Sequence, residues 1–151
     1  MVKLSEVVEA LEYPDEWECY LDRRTGEIIT VSENERPHLE DDDLKLQTLP
    51  DWLRDSVRRV RRALESADLV ELPGKFDIHE WTIMRRFSDA QEEPARSELL
   101  EAIHGSGAFR LFRRTTERLG LRDAWFRFRD EALKKFAREW LETRGIEFTE
   151  E

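Results

Sequence analysis

Three clusters in this chain hold side chains whose types and spacing could do chemistry. The first is Lys75-Phe76-Asp77-Ile78-His79-Glu80-Trp81. Asp77, His79 and Glu80 could serve as metal ligands or as an acid–base group if one pocket gathered them. Adjacent residues on a helix point in different directions, however, and rarely converge on one ion. The same residues also spell a helix start. Asp77 stands where an N-cap belongs, Glu80 follows three residues later as in a capping box, and Phe76 and Trp81 are spaced to pack as a hydrophobic staple. The segment is thus a candidate polar site or helix cap, with the cap favoured because its signal is complete.

The second cluster is Gly105-Ser106-Gly107 with Arg110, Arg113 and Arg114. A small turn opening a helix presents backbone N–H groups at a positive dipole end. Arg110 and Arg114, four residues apart, share a helix face. Together these six residues make a candidate anion-binding site for a phosphate or carboxylate. The competing reading is structural: Gly105 ends one helix, Ser106 caps the next, and the arginines pair with acidic residues of the N-terminal part. The Gly-Lys-Ser/Thr ending of a P-loop is missing, and no strand is expected before the turn. His104 beside Ser106 does not make a nucleophile elbow, because residues 97–103 read as helix.

The third cluster is the stripe Trp125, Phe128, Ala132, Phe136 and Trp140, widened by Leu133, Ala137 and Leu141. Spacings of three and four mark it as the buried face of a helix, although aromatics interleaved with arginine can also stack on bases. Asp41-Asp42-Asp43 lacks the alternation and central Gly of a calcium loop. Cys19, the one cysteine, excludes an internal disulfide and a Cys-based zinc site, and reads as a small apolar residue.

The elements that must position these residues can be read from periodicity. Leu4, Val7, Val8 and Leu11 predict a short helix capped by Ser5 and ended before Pro14. Trp17, Cys19 and Leu21, then Gly26, then residues 27–31, predict an antiparallel hairpin. Residues 32–47 form an acidic surface loop with room for one helical turn. Helices are expected over 48–67 (with Trp52, Leu53, Val57, Val60 and Leu64 inward), 78–90, from Pro94 to Gly105, 107–119 and 122–144. Arg58, Arg59, Arg61 and Arg62 read as a solvated face that could pair with the acidic loop. Ile146-Glu147-Phe148 could add a terminal strand beside the hairpin. The expected fold class is α+β: mostly helical, with an N-terminal hairpin packed against four or five helices in a single domain over 1–151.

Several of these segments together resemble those of bacterial proteins grouped as Uncharacterised Protein Family 0158. The similar stretches are residues 75–81, Gly105-Ser106-Gly107-Ala108-Phe109-Arg110, Trp125-Phe126-Arg127-Phe128-Arg129-Asp130-Glu131-Ala132-Leu133, and Tyr20-Leu21-Asp22 followed by Thr25-Gly26-Glu27. The resemblance spans nearly the full chain. It implies no activity and brings no catalytic residues with it.

Charge bounds the partners. The net charge is −10, and residues 1–51 carry all of it, with 5 basic and 15 acidic side chains. Residues 104–138 run the other way, with 10 basic and 4 acidic, so overall acidity leaves a basic surface open. High charge with five Trp and eight Phe argues for a packed core under a charged skin rather than disorder. No stretch reads as a signal peptide or membrane span, so a cytoplasmic protein with no membrane partner is expected. With no metal cluster, triad or cofactor fingerprint, the reading is a non-catalytic binding or regulatory protein without a cofactor. A protein partner comes first. The alternatives are nucleic-acid or phosphorylated-ligand binding through 105–114, and an enzyme using Asp77, His79 and Glu80. Homo-oligomerisation is left open.

Overall fold

The computed structural model describes residues 1–151. The fold is α+β, and the chain divides into two compact units, residues 1–74 with 140–151, and residues 75–139. Length and composition suggested one domain.

The first unit opens with β1 (Val2–Lys3) and α1 (Leu4–Leu11). Leu4, Val7, Val8 and Leu11 are buried along one face of α1, as their spacing requires. Ser5 does not cap it: the helix starts one residue earlier, at Leu4, and the Ser5 N–H donates to the Glu151 carbonyl, 2.8 Å. The hairpin is β2 (Glu18–Asp22) and β3 (Ile28–Val31), in the register Glu18↔Val31 to Leu21↔Ile28. Gly26 closes it at φ +80°, and a β-carbon there would lie 3.1 Å from the Met1 carbonyl carbon and 3.2 Å from the Val2 nitrogen. Both the turn and the close approach of the N-terminal strand therefore require glycine.

The acidic loop holds a 3₁₀ turn at Arg36–His38 and the short α2 (Asp43–Gln47), capped by the Asp42 carboxylate accepting from the Lys45 N–H. Glu35 anchors the loop, because its carboxylate accepts from the Ser32 hydroxyl and from Ser56 Oγ at 2.9 Å on α3 (Asp51–Ala63). Of the inward set expected for this helix, Val57 and Val60 are buried, but Trp52 is 63% exposed. Trp52 stands five residues before Val57 and so falls off the stripe, whereas Leu53, at four, stays half-buried on it.

A third strand, β4 (Leu69–Glu71), pairs antiparallel with β2. Its three residues are too few to show a period. The terminal strand, β5 (Phe148–Thr149), pairs parallel with β1 and not with the hairpin.

The second unit is helical: α4 (Lys75–Ile78), α5 (Glu80–Asp89), α6 (Ala95–Ala102), α7 (Ala108–Arg118) and α8 (Arg122–Thr143), whose last turn from Trp140 belongs to the first unit. Phe87, Phe112, Trp125 and Phe128 form its aromatic core. Phe87 meets the other three edge-on at centroid distances of 5.4–6.3 Å, and Phe112 lies 4.8 Å from Trp125. Edge-to-face packing of this kind adds about 0.5–1.5 kcal/mol per pair beyond the area buried. The Trp125 stripe is thus a packed face, as its period implies, with Leu133 and Ala137 fully buried at its centre.

Candidate functional site

The helix cap expected at Asp77 is not formed. The helical turn α4 begins at Lys75, which places Asp77 inside it, and α5 starts at Glu80 with His79 in the N-cap position and no side-chain cap. His79 is the break between the two, with φ 56° and ψ 59°. Left-handed backbone costs a non-glycine residue about 1–2 kcal/mol. What it permits is packing: Ile78 before the break and Ile83, Met84 and Phe87 after it are all buried, which one continuous helical phase would not achieve.

The expected staple is also absent. Phe76 is 88% exposed, and its ring faces His79 at 6.0 Å. Trp81 instead turns toward the end of α6, where its Nε1 donates to the Ile103 carbonyl at 2.9 Å and its ring lies 6.5 Å from His104. Glu80 is taken by a long-range partner. Arg129 of α8 donates through Nε to Oε1 at 2.5 Å and through Nη2 to Oε2 at 3.3 Å. This forked pair is half-shielded, and Glu80 also sits in the first turn of α5, where the dipole favours a carboxylate.

Around these groups runs an open groove of about 610 Å³, lined by Lys75, Phe76, His79, Glu80, Trp81, Phe109 and Arg129. A smaller pocket of about 280 Å³ lies on the other side of His79, with Asp77, Arg86, Lys135 and Glu139 among its walls. His79 lines both, but Asp77 and Glu80 face different cavities. The three residues are therefore not one acid–base group. No set of three His, Cys, Asp or Glu side chains is close enough to hold a metal ion.

The Gly105–Arg114 cluster keeps its turn but not its cap. Gly105 and Gly107 adopt φ +87° and +74°, and Gly107, not Ser106, occupies the N-cap of α7. Two left-handed residues flank Ser106 and carry the chain past it before the helix begins. Arg110, Arg113 and Arg114 are all exposed and enter no ion pair, in contrast to Arg118, which reaches Glu98 at 3.4 Å. The pairing of these arginines with acidic residues is thus not found.

Two groove residues escaped the sequence reading. Phe109 is 59% exposed in the first turn of α7, although it stands three residues before buried Phe112 and seven before buried Thr116, on the same helical face. Its spacing from Phe112 therefore reads as core and gave no signal of exposure. Arg129 reads as one more surface arginine until Glu80, 49 residues earlier, is found beside it. On α8, Phe126 is 47% exposed next to buried Trp125, with the Arg122 guanidinium 5.3 Å from its ring centre.

The family model of Uncharacterised protein family (UPF0158) matches residues 1–151, the whole chain. The chain belongs to this family. No curated protein and no solved structure matches it. The groove has a further property in this light. Its walls come from the three segments in the second unit through which the sequence resembles the family: 75–81, 105–110 through Phe109, and 125–133 through Arg129.

Proposed function

We propose that this protein is a non-catalytic binding protein whose recognition surface is the groove lined by Phe76, Trp81 and Phe109. One observation carries the reading: rings from separate helices stand exposed around a single concavity. Burying one Phe side chain is worth about 1.5–3 kcal/mol, so leaving several in water side by side marks a surface kept for a partner. Glu80 is engaged by Arg129, which orders the wall of the groove.

The test is a photo-reactive phenylalanine analogue at position 109, with the same group at exposed Glu101 of α6 as control. Irradiation in extract should give adducts at position 109 that disappear when Phe76 is changed to Ala. Equal adducts at both positions, or none at 109, would refute the reading.

A further inference from the structure

We infer that the ligand of this groove is a single strand of nucleic acid, its bases stacked on Phe76 and Phe109 and its phosphates held by Arg110, Arg113 and Arg114, which follow Phe109 on α7. The inference rests on the groove being a recognition surface at all, and it adds the chemistry of what is recognised.

Charge selects the ligand class. Residues 75–139 hold 14 basic and 12 acidic side chains, whereas the rest of the chain holds 11 and 23. Within 104–138 the ratio is 10 to 4. Arg110, Arg113 and Arg114 are exposed and unpaired, so an incoming anion need displace no carboxylate.

The order of rings and cations narrows the class further. On α7, Arg113 follows Phe109 by four residues and so lies one turn along the same face, with Arg110 and Arg114 beside it. From the groove, an aromatic group and then free cations thus succeed one another along α7. A nucleotide strand presents the matching alternation of flat apolar bases and single negative charges, and stacking on such rings contributes about 1–3 kcal/mol per base.

A protein segment fits less well. Lys75, His79, Glu80 and Arg129 interrupt the apolar wall, and an apolar helix or strand docked there would bury them. The site is also built for sequence tolerance. Gln91 is the only amide side chain in 75–139, and its Nε2 donates to the Phe87 carbonyl at 3.0 Å. The side chains that most often read adenine edges are missing from the surface.

The test is fluorescence titration of the full chain with labelled twelve-nucleotide oligouridylate and oligothymidylate between 50 and 200 mM salt. Three phosphate contacts at about 0.7 counterions each predict a roughly 20-fold loss of affinity across that range. Arg110→Glu with Arg114→Glu should weaken binding and flatten the salt dependence. Phe76→Leu with Phe109→Leu keeps apolar bulk but removes the rings, and should weaken binding at least 10-fold at every salt concentration. Arg58→Glu with Arg62→Glu makes the same charge change in the first unit and should leave affinity within twofold. No binding at 50 mM salt, or binding indifferent to the Phe→Leu pair, overturns the inference. Nuclease and protease digestion of the position-109 adducts separates the two readings. A nuclease-resistant protein adduct refutes nucleic acid while leaving the groove a recognition surface, and absence of any adduct refutes both.

Discussion

The two compact units solve the problem of solubility differently. The first carries 11 basic and 23 acidic side chains, and its large exposed apolar residues, Met1, Leu44 and Trp52, are far apart in sequence. The second is close to neutral, yet it exposes Phe76, Trp81, Phe109, Leu111 and Phe126. A near-neutral unit with clustered rings would be the less soluble of the two alone. The strong negative charge of the same chain offsets that by self-repulsion between molecules. The comparison teaches where to look: the acidic unit uses Glu35 to tie its loop to Ser32 and Ser56, while the second, although it pairs Arg85, Arg96, Arg118, Arg129 and Lys134, leaves Arg110, Arg113, Arg114 and several rings exposed.

The comparison can be broken first within the second unit, because buried and exposed Phe there should behave as opposites. Phe87→Ala removes the hub of the aromatic core and should cost about 3–5 kcal/mol in urea unfolding. A loss under 1 kcal/mol would mean that this core is not as described. In the first unit, Gly26→Ala forces a β-carbon against the backbone of Met1 and Val2 at positive φ, and should cost about 1–3 kcal/mol by thermal unfolding.

The units should also differ toward acid. Burial raises the Glu35 carboxyl, but the hydroxyls of Ser32 and Ser56 and nearby backbone N–H groups outweigh it and hold it below its ordinary 4.5. Burial likewise raises Asp22, and hydrogen bonds from Arg24, Ser66 and Thr25 hold it below 3.8. A carboxyl lowered on folding contributes stability that is present above its unfolded value and is lost as pH falls through its folded one. Wild type should therefore be more stable than Glu35→Gln at neutral pH, with the two curves converging below about pH 4.5. Parallel curves would show that Glu35 is not so held. In the second unit the Lys134 ammonium is raised by its hydrogen bond and charge contact with Asp130, so its contribution is lost only toward alkaline pH.

Smaller effects sharpen the picture of the groove. His79→Gly relieves left-handed backbone and should stabilise by about 0.5–1 kcal/mol while weakening binding at the groove. A destabilised variant would show that the imidazole itself holds the break. Phe109→Ala should change stability by no more than about 0.5 kcal/mol, measured beside Phe87→Ala under the same conditions.

Much of the fold could be read before the structure. The hairpin around Gly26, the helix stops at Gly105, Gly120 and Gly145, and the buried stripe of α8 follow from local rules, because each depends on residues within a turn or two. The site was legible only in outline. Asp77, His79 and Glu80 stood out through a capping-box spacing that was complete, but the burial of Ile78 together with Ile83, Met84 and Phe87 overrode it and moved the helix start, and only His79 and Glu80 line the groove. Phe109 was hidden because a Phe in an amphipathic helix defaults to the core.

What the sequence determined by itself was the class of fold, the turns and helix ends, and the split between an acidic N-terminal part and a basic stretch near the C-terminal helices. These depend on backbone freedom, side-chain periodicity and composition, which are local. Tertiary structure alone decided that β1 meets β5 from the opposite end of the chain, that Glu80 joins Arg129, that His79 takes a left-handed turn, and that Phe76, Phe109 and Phe126 stay in water. Each of these weighs a local preference against burial or pairing with residues far along the chain. The outcome is set by the long-range term, which is larger than a cap or staple worth about 1 kcal/mol.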